Sequence, residues 1–141
     1  MRPTISLSVP IYNEEGSIEE VFEKVRVVMN GLGEPWEIIF VNDGSLDESE
    51  EILNRLSAAH HEVKVIHFRR NFGQTAAMMA GFDFAAGDIV VPMDGDGQND
   101  PEDIPRMLAK LREGYDVCSG WRRDRRDNAI QRNIPSIRPT S

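Results

Sequence analysis

The sequence predicts an α/β fold, a mostly parallel sheet with helices on both faces. Three observations lead there. Short apolar runs rich in β-branched residues alternate with stretches whose apolar residues recur every three or four positions, in the order β-α-β-α-β-α-β-α-β. Strands joined through a helix run parallel, because the crossover carries the chain back to the edge where the previous strand began. Four loops fall where the strands should end: PIYNEEG, VNDGS, RRNFG and MDGDGQ. They are polar or acidic, and the carboxyl ends of the strands are where open parallel sheets bind ligands.

The first strand is expected over Thr4 to Pro10, TISLSVP, and a loop follows to Gly16. Ser17-x-x-Glu20 has the spacing of a capping box, and Ile18, Val21, Phe22, Val25, Val28 and Met29 then recur at helical spacing. Gly31, Gly33 and Pro35 end that helix. Trp36 to Val41 is the second strand, stopped by the turn Asn42-Asp43-Gly44-Ser45. Ser45-x-x-Glu48 is a second capping-box spacing, with Ile52, Leu53, Leu56 and Ala59 as the core face of the helix after it. Val63 to Phe68 is the third strand, and Arg69 to Gly73 a loop. Gln74 to Ala86 is rich in Ala, Met and Phe nearly all round, which predicts a buried helix. Asp88 to Met93 is the fourth strand, ending in Asp94-Gly95-Asp96-Gly97-Gln98. Asp100 and Pro101 suit the start of a helix that runs to Glu113, with Ile104, Met107, Leu108 and Leu111 inward and Gly114 as its stop. Tyr115 to Ser119 is the fifth strand.

Composition bounds the function classes. The 141 residues suffice for one domain with a real core, and 40% apolar and 28% charged residues are ordinary for a globular protein. A net charge of −8 argues against nucleic acid as a partner of the whole chain. The charge is uneven: residues 122–141 hold six arginines and two aspartates, a balance of +4 that leaves −12 for the rest. An acidic body suits a cation, and a basic tail suits an anion. Cys118 is the only cysteine, which excludes a disulfide framework and a cysteine metal cage. The N-terminus leads straight into a strand without the pattern of a signal peptide, and no apolar stretch is long enough to span a bilayer. The chain is therefore expected in the cytoplasm, with any membrane contact peripheral and at the cytoplasmic face.

The chemistry concentrates at the strand ends. Asp94 and Asp96 lie one residue apart after a buried strand, and two such carboxylates repel unless a cation sits between them. Their oxygens suit Mg2+ or Mn2+, metals commonly shared with a substrate's phosphates. A solvated acidic turn capping the next helix is the plainer reading; it accounts for Asp100 and Pro101 but needs no pair of carboxylates upstream. The first strand is followed by Glu14 and Glu15 in place of a G-x-G-x-x-G fingerprint, and there is no Walker phosphate loop. Carboxylates, amides and one aromatic suit a nucleotide whose diphosphate arrives with its own metal. In that arrangement Tyr12 stacks on a base, Asn13, Glu14 and Asp43 accept hydrogen bonds from base or ribose, and Asp94 and Asp96 reach the diphosphate through the cation. Arg69 or Arg70 is placed to meet a phosphate. Singly, each residue has a duller explanation as turn, packing or helix-dipole decoration; their gathering on one edge favours a site. A response-regulator receiver would want its acid pair after the first strand, a lone aspartate mid-chain and a lysine at the fifth strand; here the aspartate pair follows the fourth strand, and the fifth offers Trp121-Arg122 with no lysine.

Four segments carry a family resemblance. S-V-P-I-Y-N-E-E (Ser8 to Glu15), V-N-D-G-S (Val41 to Ser45), F-R-R-N-F-G-Q (Phe68 to Gln74) and M-D-G-D-G-Q-N-D-P (Met93 to Pro101) resemble the family 2 glycosyltransferases. The branch is the one similar to dolichyl-phosphate mannosyltransferase and the bacterial polyprenyl-phosphate sugar transferases, and the likeness runs from about Ile5 to Arg132. It implies a GT-A (Rossmann-like) fold, a UDP- or GDP-sugar donor, a lipid-phosphate acceptor and metal-assisted transfer with inversion at the anomeric carbon. Pro10, Tyr12, Asn13, Glu14, Val41 and Asp43 match the nucleoside pocket, with Asp94 and Gly95 at its diphosphate end. Asp94, Asp96 and Gln98 match the metal motif. Ser119 to Arg123 resembles a segment that approaches the donor sugar and the acceptor phosphate, and Arg122, Arg123, Arg125 and Arg126 are acceptor-phosphate or lipid-headgroup candidates, with a solvated basic tail as the alternative. The family's catalytic domain is longer than this chain. Residues 1–121 are thus expected to be the nucleotide-sugar-binding half, and residues 122–141 a basic tail opening an acceptor-side half that is truncated at the C-terminus. No residue is identified as the catalytic base, so a nucleotide-sugar-binding module without catalysis stands as the alternative.

Overall fold

The computed structural model describes residues 3–95 and 100–112. The elements follow the expected alternation: β1 (Ile5–Ile11), α1 (Ile18–Leu32), β2 (Trp36–Asn42), α2 (Ser49–Ala59), β3 (Val63–His67), α3 (Gln74–Phe84) and β4 (Ile89–Pro92). A single 3-10 turn, Pro101–Asp103, then leads into α4 (Ile104–Arg112). All described strand pairs are parallel, and their order is β3-β2-β1-β4. Chain order runs outward from β1 to β3, then jumps back to place β4 on the other side of β1. The order therefore reverses between β1 and β4, and the crevice outside their carboxyl ends is where such a sheet takes a ligand. The expected fifth strand, Cys118 and the basic tail lie outside the described residues, as does the side chain of Leu111.

Helices cover both faces. On one, Ile5, Leu7, Val9 and Ile11 of β1 and Ile38 and Phe40 of β2 alternate inward and meet Ile18, Val21, Phe22, Val25 and Met29 of α1. Ile52 and Leu53 of α2 and Ile104, Met107 and Leu108 of α4 join the same cluster. Leu56 packs on it half-buried, whereas Ala59, at the end of α2, is exposed. The opposite face carries Ile39 and Val41 against Ala77 of α3. This helix is less buried than its composition suggests. Only Ala77 and Gly81 are buried, while Met79 and Phe84 are 60% and 61% exposed. Small residues let α3 lie close on β1 and β2, Met78 and Phe82 are half-buried, and Met79 and Phe84 are left outside.

At the amino-terminal edge of the sheet the buried Glu37 carboxylate takes an ion pair from Lys64 Nζ at 2.6 Å, a hydrogen bond from Ser6 Oγ at 2.6 Å and one from the Ala86 amide at 2.7 Å. Helix ends follow the expected chemistry in two of four places. Gly33, in the left-handed region at φ 76°, closes α1, and the Asp100 carboxylate accepts from the Glu102 amide at 3.0 Å with Pro101 as the first residue of the turn. Neither capping box forms. The Ser17 and Ser45 hydroxyls are used by other loops, and α2 begins only at Ser49.

Candidate functional site

The loops after β1 and β2 are stitched together by polar atoms. Asn13 takes a left-handed conformation, φ 54°, which asparagine tolerates better than most residues. This turn lets its backbone amide donate to Ser45 Oγ at 3.0 Å and its Oδ1 accept from the Leu46 amide at 2.8 Å. The Glu14 amide donates to Ser49 Oγ at 3.1 Å, the Glu15 amide to Asp47 Oδ2 at 3.2 Å, and the Glu48 amide to Glu15 Oε1 at 2.8 Å. Burial pushes the Asp47 carboxyl up, but hydrogen bonds from Ser49 and from the Glu15 amide outweigh it and hold the group below the usual carboxylate range. Glu48 moves the other way, because it shares a hydrogen bond with Glu51 and faces that residue's charge. Tyr12 is 43% exposed on this rim. Val41 is wholly buried beneath α3, so its side chain does not reach the rim.

The turn after β2 is pinned from behind. Asn42 Oδ1 accepts from the Ser45 amide at 3.0 Å, so its Nδ2 must be the atom 3.0 Å from His67 Nδ1. That ring nitrogen then accepts, and His67 Nε2 carries the proton it donates to Asn54 Oδ1 at 2.9 Å.

Asp43 is buried, and its carboxylate is already engaged. Oδ1 accepts from the Phe72 amide at 2.7 Å; Oδ2 accepts from Asn71 Nδ2 and from the Gly73 amide, both at 3.0 Å. Asn71 Nδ2 also reaches the Asp43 carbonyl at 3.2 Å. The next residue completes a seat for the β3–α3 loop. Gly44 sits at φ +71°, and a Cβ there would stand 2.3 Å from the Arg70 carbonyl carbon. The loop displays Arg69 and Arg70 to solvent, with the Arg70 guanidinium 4.3 Å over the Phe72 ring.

At the end of β4 the half-buried Asp94 receives the Gln74 side-chain amide, Nε2 to Oδ1 at 3.4 Å. Gly95 is pressed against β1: an added Cβ would lie 2.5 Å from Ile11 Cδ1 and 2.8 Å from the Pro10 carbonyl oxygen. Its own carbonyl accepts from Ser17 Oγ at 2.8 Å. This is where the hydroxyl expected to cap α1 has gone. Asp96 and Gln98 lie outside the described residues, as do Arg122, Arg123, Arg125 and Arg126. Among the described residues no three metal-ligating His, Cys, Asp or Glu side chains converge. Asp94 is the described member of the expected set, and a carboxylate at a strand end beside a neutral amide fits a hard divalent cation.

The structure thus brings Pro10, Tyr12, Asn13, Glu14, Val41, Asp43, Asp94 and Gly95 to the carboxyl ends of three adjacent strands, β2, β1 and β4. Ser17, Ser49, His67 and Asn71 are structural members of the same site that sequence reasoning passed over. Three of them, Ser17, Ser49 and Asn71, are small polar residues near loops, and His67 ends a strand; none of these signals is rare enough to single one out.

The model of glycosyl transferase family 2 matches residues 6–139. Undecaprenyl-phosphate 4-deoxy-4-formamido-L-arabinose transferase of Salmonella paratyphi B is 38% identical over 135 residues, which are 94% of this chain and 41% of that protein. The chain therefore spans about two fifths of the length of the curated relatives it matches. Among solved structures, glucosyl-3-phosphoglycerate synthase of Mycobacterium tuberculosis in complex with UDP superposes with a TM-score of 0.63 at 27% identity, covering 81% of this chain and 42% of that one. A mannosyltransferase from Pyrobaculum calidifontis, in complex with GDP-Man and Mn2+, has the same fold with a TM-score of 0.66 at 23% identity, covering 83% of this chain and 34% of that one. The chain belongs to glycosyltransferase family 2 and has the GT-A fold.

Proposed function

We propose that this chain binds a nucleoside-diphosphate sugar, UDP- or GDP-linked, as the donor half of a transferase that moves the sugar to polyprenyl phosphate. One observation carries the reading. Gly95 is clamped onto the end of β1, which brings Asp94 beside the rim that bears Tyr12, Asn13 and Glu14, at the switch point of the sheet. The names of the relatives supply the chemical class: an undecaprenyl-phosphate sugar transferase, and solved proteins holding UDP or GDP-Man.

Tyr12 stacks on the base from its exposed position, and Asn13 and Glu14, held by the loop after β2, face the base or ribose. Asp94, with Asp96 and Gln98, would hold Mg2+ or Mn2+, which when bound supplies positive charge to the departing diphosphate. A phosphate acceptor is already an anion, so orientation and electrostatics count for more than proton abstraction. Transfer is read as one displacement with inversion. Arg122, Arg123, Arg125 and Arg126 are proposed to meet the acceptor phosphate or the headgroups of the cytoplasmic membrane face. No helix of the described residues is long and apolar enough to cross a membrane.

The test mixes the purified chain with polyprenyl phosphate in detergent, radiolabelled UDP- or GDP-sugars and Mn2+. Label in the lipid phase supports the transferase. Metal-dependent donor binding without lipid label supports the alternative, a nucleotide-sugar-binding module. Absence of both refutes the donor-site reading.

A further inference from the structure

Pro10 interrupts the ladder between β1 and β4 just before the acidic motif begins. Alternate residues of β1 turn their backbone groups toward β4: the Thr4 carbonyl, just before the strand, accepts from the Ile89 amide at 3.1 Å, and the Ser8 carbonyl accepts from the Met93 amide at 2.9 Å. Pro10 is the next residue in that series and has no N–H to give. The chain beyond Met93 therefore leaves the sheet with one ladder bond fewer. The residue between the two carboxylates is Gly95, whose backbone is restrained by no side chain of its own. Two contacts compensate. Gly95 lies against the end of β1, where an added Cβ would stand 2.5 Å from Ile11 Cδ1 and 2.8 Å from the Pro10 carbonyl oxygen. Its carbonyl accepts from Ser17 Oγ at 2.8 Å. Glu14 Oε1 and the Glu14 carbonyl stand farther from that hydroxyl, at 3.2 and 3.3 Å, and it has one proton to donate. Ser17 is itself anchored. Its amide donates to the Glu14 carbonyl at 2.9 Å, and its own carbonyl accepts from the Val21 amide in α1 at 2.9 Å.

We infer that Ser17 is a positioning residue for the metal motif: from the start of α1 its hydroxyl holds the Gly95 carbonyl, and with it the backbone that joins Asp94 to Asp96. The inference rests on the donor-site reading above and deepens it. Two carboxylates share one cation tightly when the backbone between them is held still. Here a side chain from another element supplies the hold, in place of the bond that Pro10 cannot give. In this role Ser17 touches neither nucleoside nor phosphate, so its loss is felt where the metal and the diphosphate bind and not at the nucleoside end.

The metal-dependent part of nucleotide affinity isolates this role. UDP and GDP are titrated calorimetrically with and without Mn2+ on the wild-type chain, Ser17→Ala and Ser17→Thr, and the ratio of the two dissociation constants is the gain from the metal. Ser17→Ala is expected to cut that gain by about three- to tenfold, the size of one lost hydrogen bond, and to leave the metal-free affinity within about twofold of wild type. Ser17→Thr keeps a hydroxyl and should keep most of the gain. Equal losses of metal-free and metal-loaded affinity in Ser17→Ala would make the residue a general prop of the loop after β1 and overturn the inference. An unchanged gain, or a gain in Ser17→Thr as low as in Ser17→Ala, would overturn it too. Mn2+–pyrophosphate, which has no nucleoside, is the second measurement: it should weaken in Ser17→Ala by the same factor as the gain, and unchanged affinity refutes the inference. A wild-type chain in which neither nucleotide gains from Mn2+ removes the donor-site reading itself, an outcome distinct from all of these.

Discussion

Replacing Gly44 by alanine tests the seat of the β3–α3 loop. The new Cβ would lie 2.3 Å from the Arg70 carbonyl carbon, 2.4 Å from the Asn71 nitrogen and 2.7 Å from Arg70 Cα, all backbone atoms with no rotamer to turn away. Ordinary carbon contact begins near 3.5 Å, so the loop must retreat by about 1 Å. A retreat of that size stretches the 2.7 and 3.0 Å bonds to Asp43 past hydrogen-bonding range. Three costs combine. An alanine at φ +71° loses about 1–2 kcal/mol, displacement of packed backbone about 1–3, and the weakened carboxylate bonds about 1.5–3. They overlap, because loop retreat relieves the clash as it breaks the bonds, and a total of about 3–5 kcal/mol is expected against a usual domain stability of about 5–15. Gly33→Ala is the control. It has the same sign of φ, +76°, and nothing within 4 Å, so it should cost only the conformational part, about 1–2 kcal/mol. Urea unfolding of both variants and wild type, followed by circular dichroism and by tryptophan fluorescence, to which Trp36 on β2 contributes, gives the comparison. A Gly44→Ala cost within about 1 kcal/mol of the Gly33→Ala cost would refute the seat.

Two further expectations follow from the buried polar groups. Burial raises the Glu37 carboxyl, but Lys64, Ser6 and the Ala86 amide more than offset it, so the folded protein holds the group below the usual range. Its contribution is therefore full above the ordinary carboxylate range and fades as pH falls through the folded value. Glu37→Gln should cost about 1–3 kcal/mol at pH 7 and much less in acid, with urea midpoints at the two pH values as the check; equal losses at both would contradict the assignment. Ser8 Oγ is buried without a hydrogen-bond partner among the described residues, so Ser8→Ala should be neutral or stabilising by up to about 1 kcal/mol in the same assay. A loss larger than that would mean the hydroxyl is bonded.

Most of the fold was legible because strands and helices here are local patterns. β-Branched runs such as Ile5–Ile11 and the 3.6-residue period of α1 follow from neighbours in sequence. The α3 stretch shows the limit. It is apolar on all sides, so its pattern marks no buried face, and only packing against β1 and β2 decided that Ala77 and Gly81 go in while Met79 and Phe84 stay out. The site was legible as a set of residue types on one edge, and the parallel order of β2, β1 and β4 brings those residues together. Who holds whom was not legible. Ser17 and Ser45 match capping boxes four residues long, yet their hydroxyls serve Gly95, 78 residues away, and Asn13, 32 residues away. The donors that engage the Asp43 carboxylate, Asn71 to Gly73, lie 28–30 residues further on. Long-range polar pairing leaves no period in a sequence, and short polar side chains satisfy a local motif and a distant partner equally well.

The donor site itself is tested most directly by titrating the purified chain with UDP- and GDP-sugars in the presence and absence of Mn2+, alongside Asp94→Ala and Asp96→Ala. One of the two nucleotides should bind at least about tenfold tighter with the metal, a gain of about 1.4 kcal/mol, and both substitutions should erase that gain. If neither nucleotide binds better with Mn2+ and Asp96→Ala changes nothing, the carboxylates after β4 are an acidic turn and the proposed donor site does not exist.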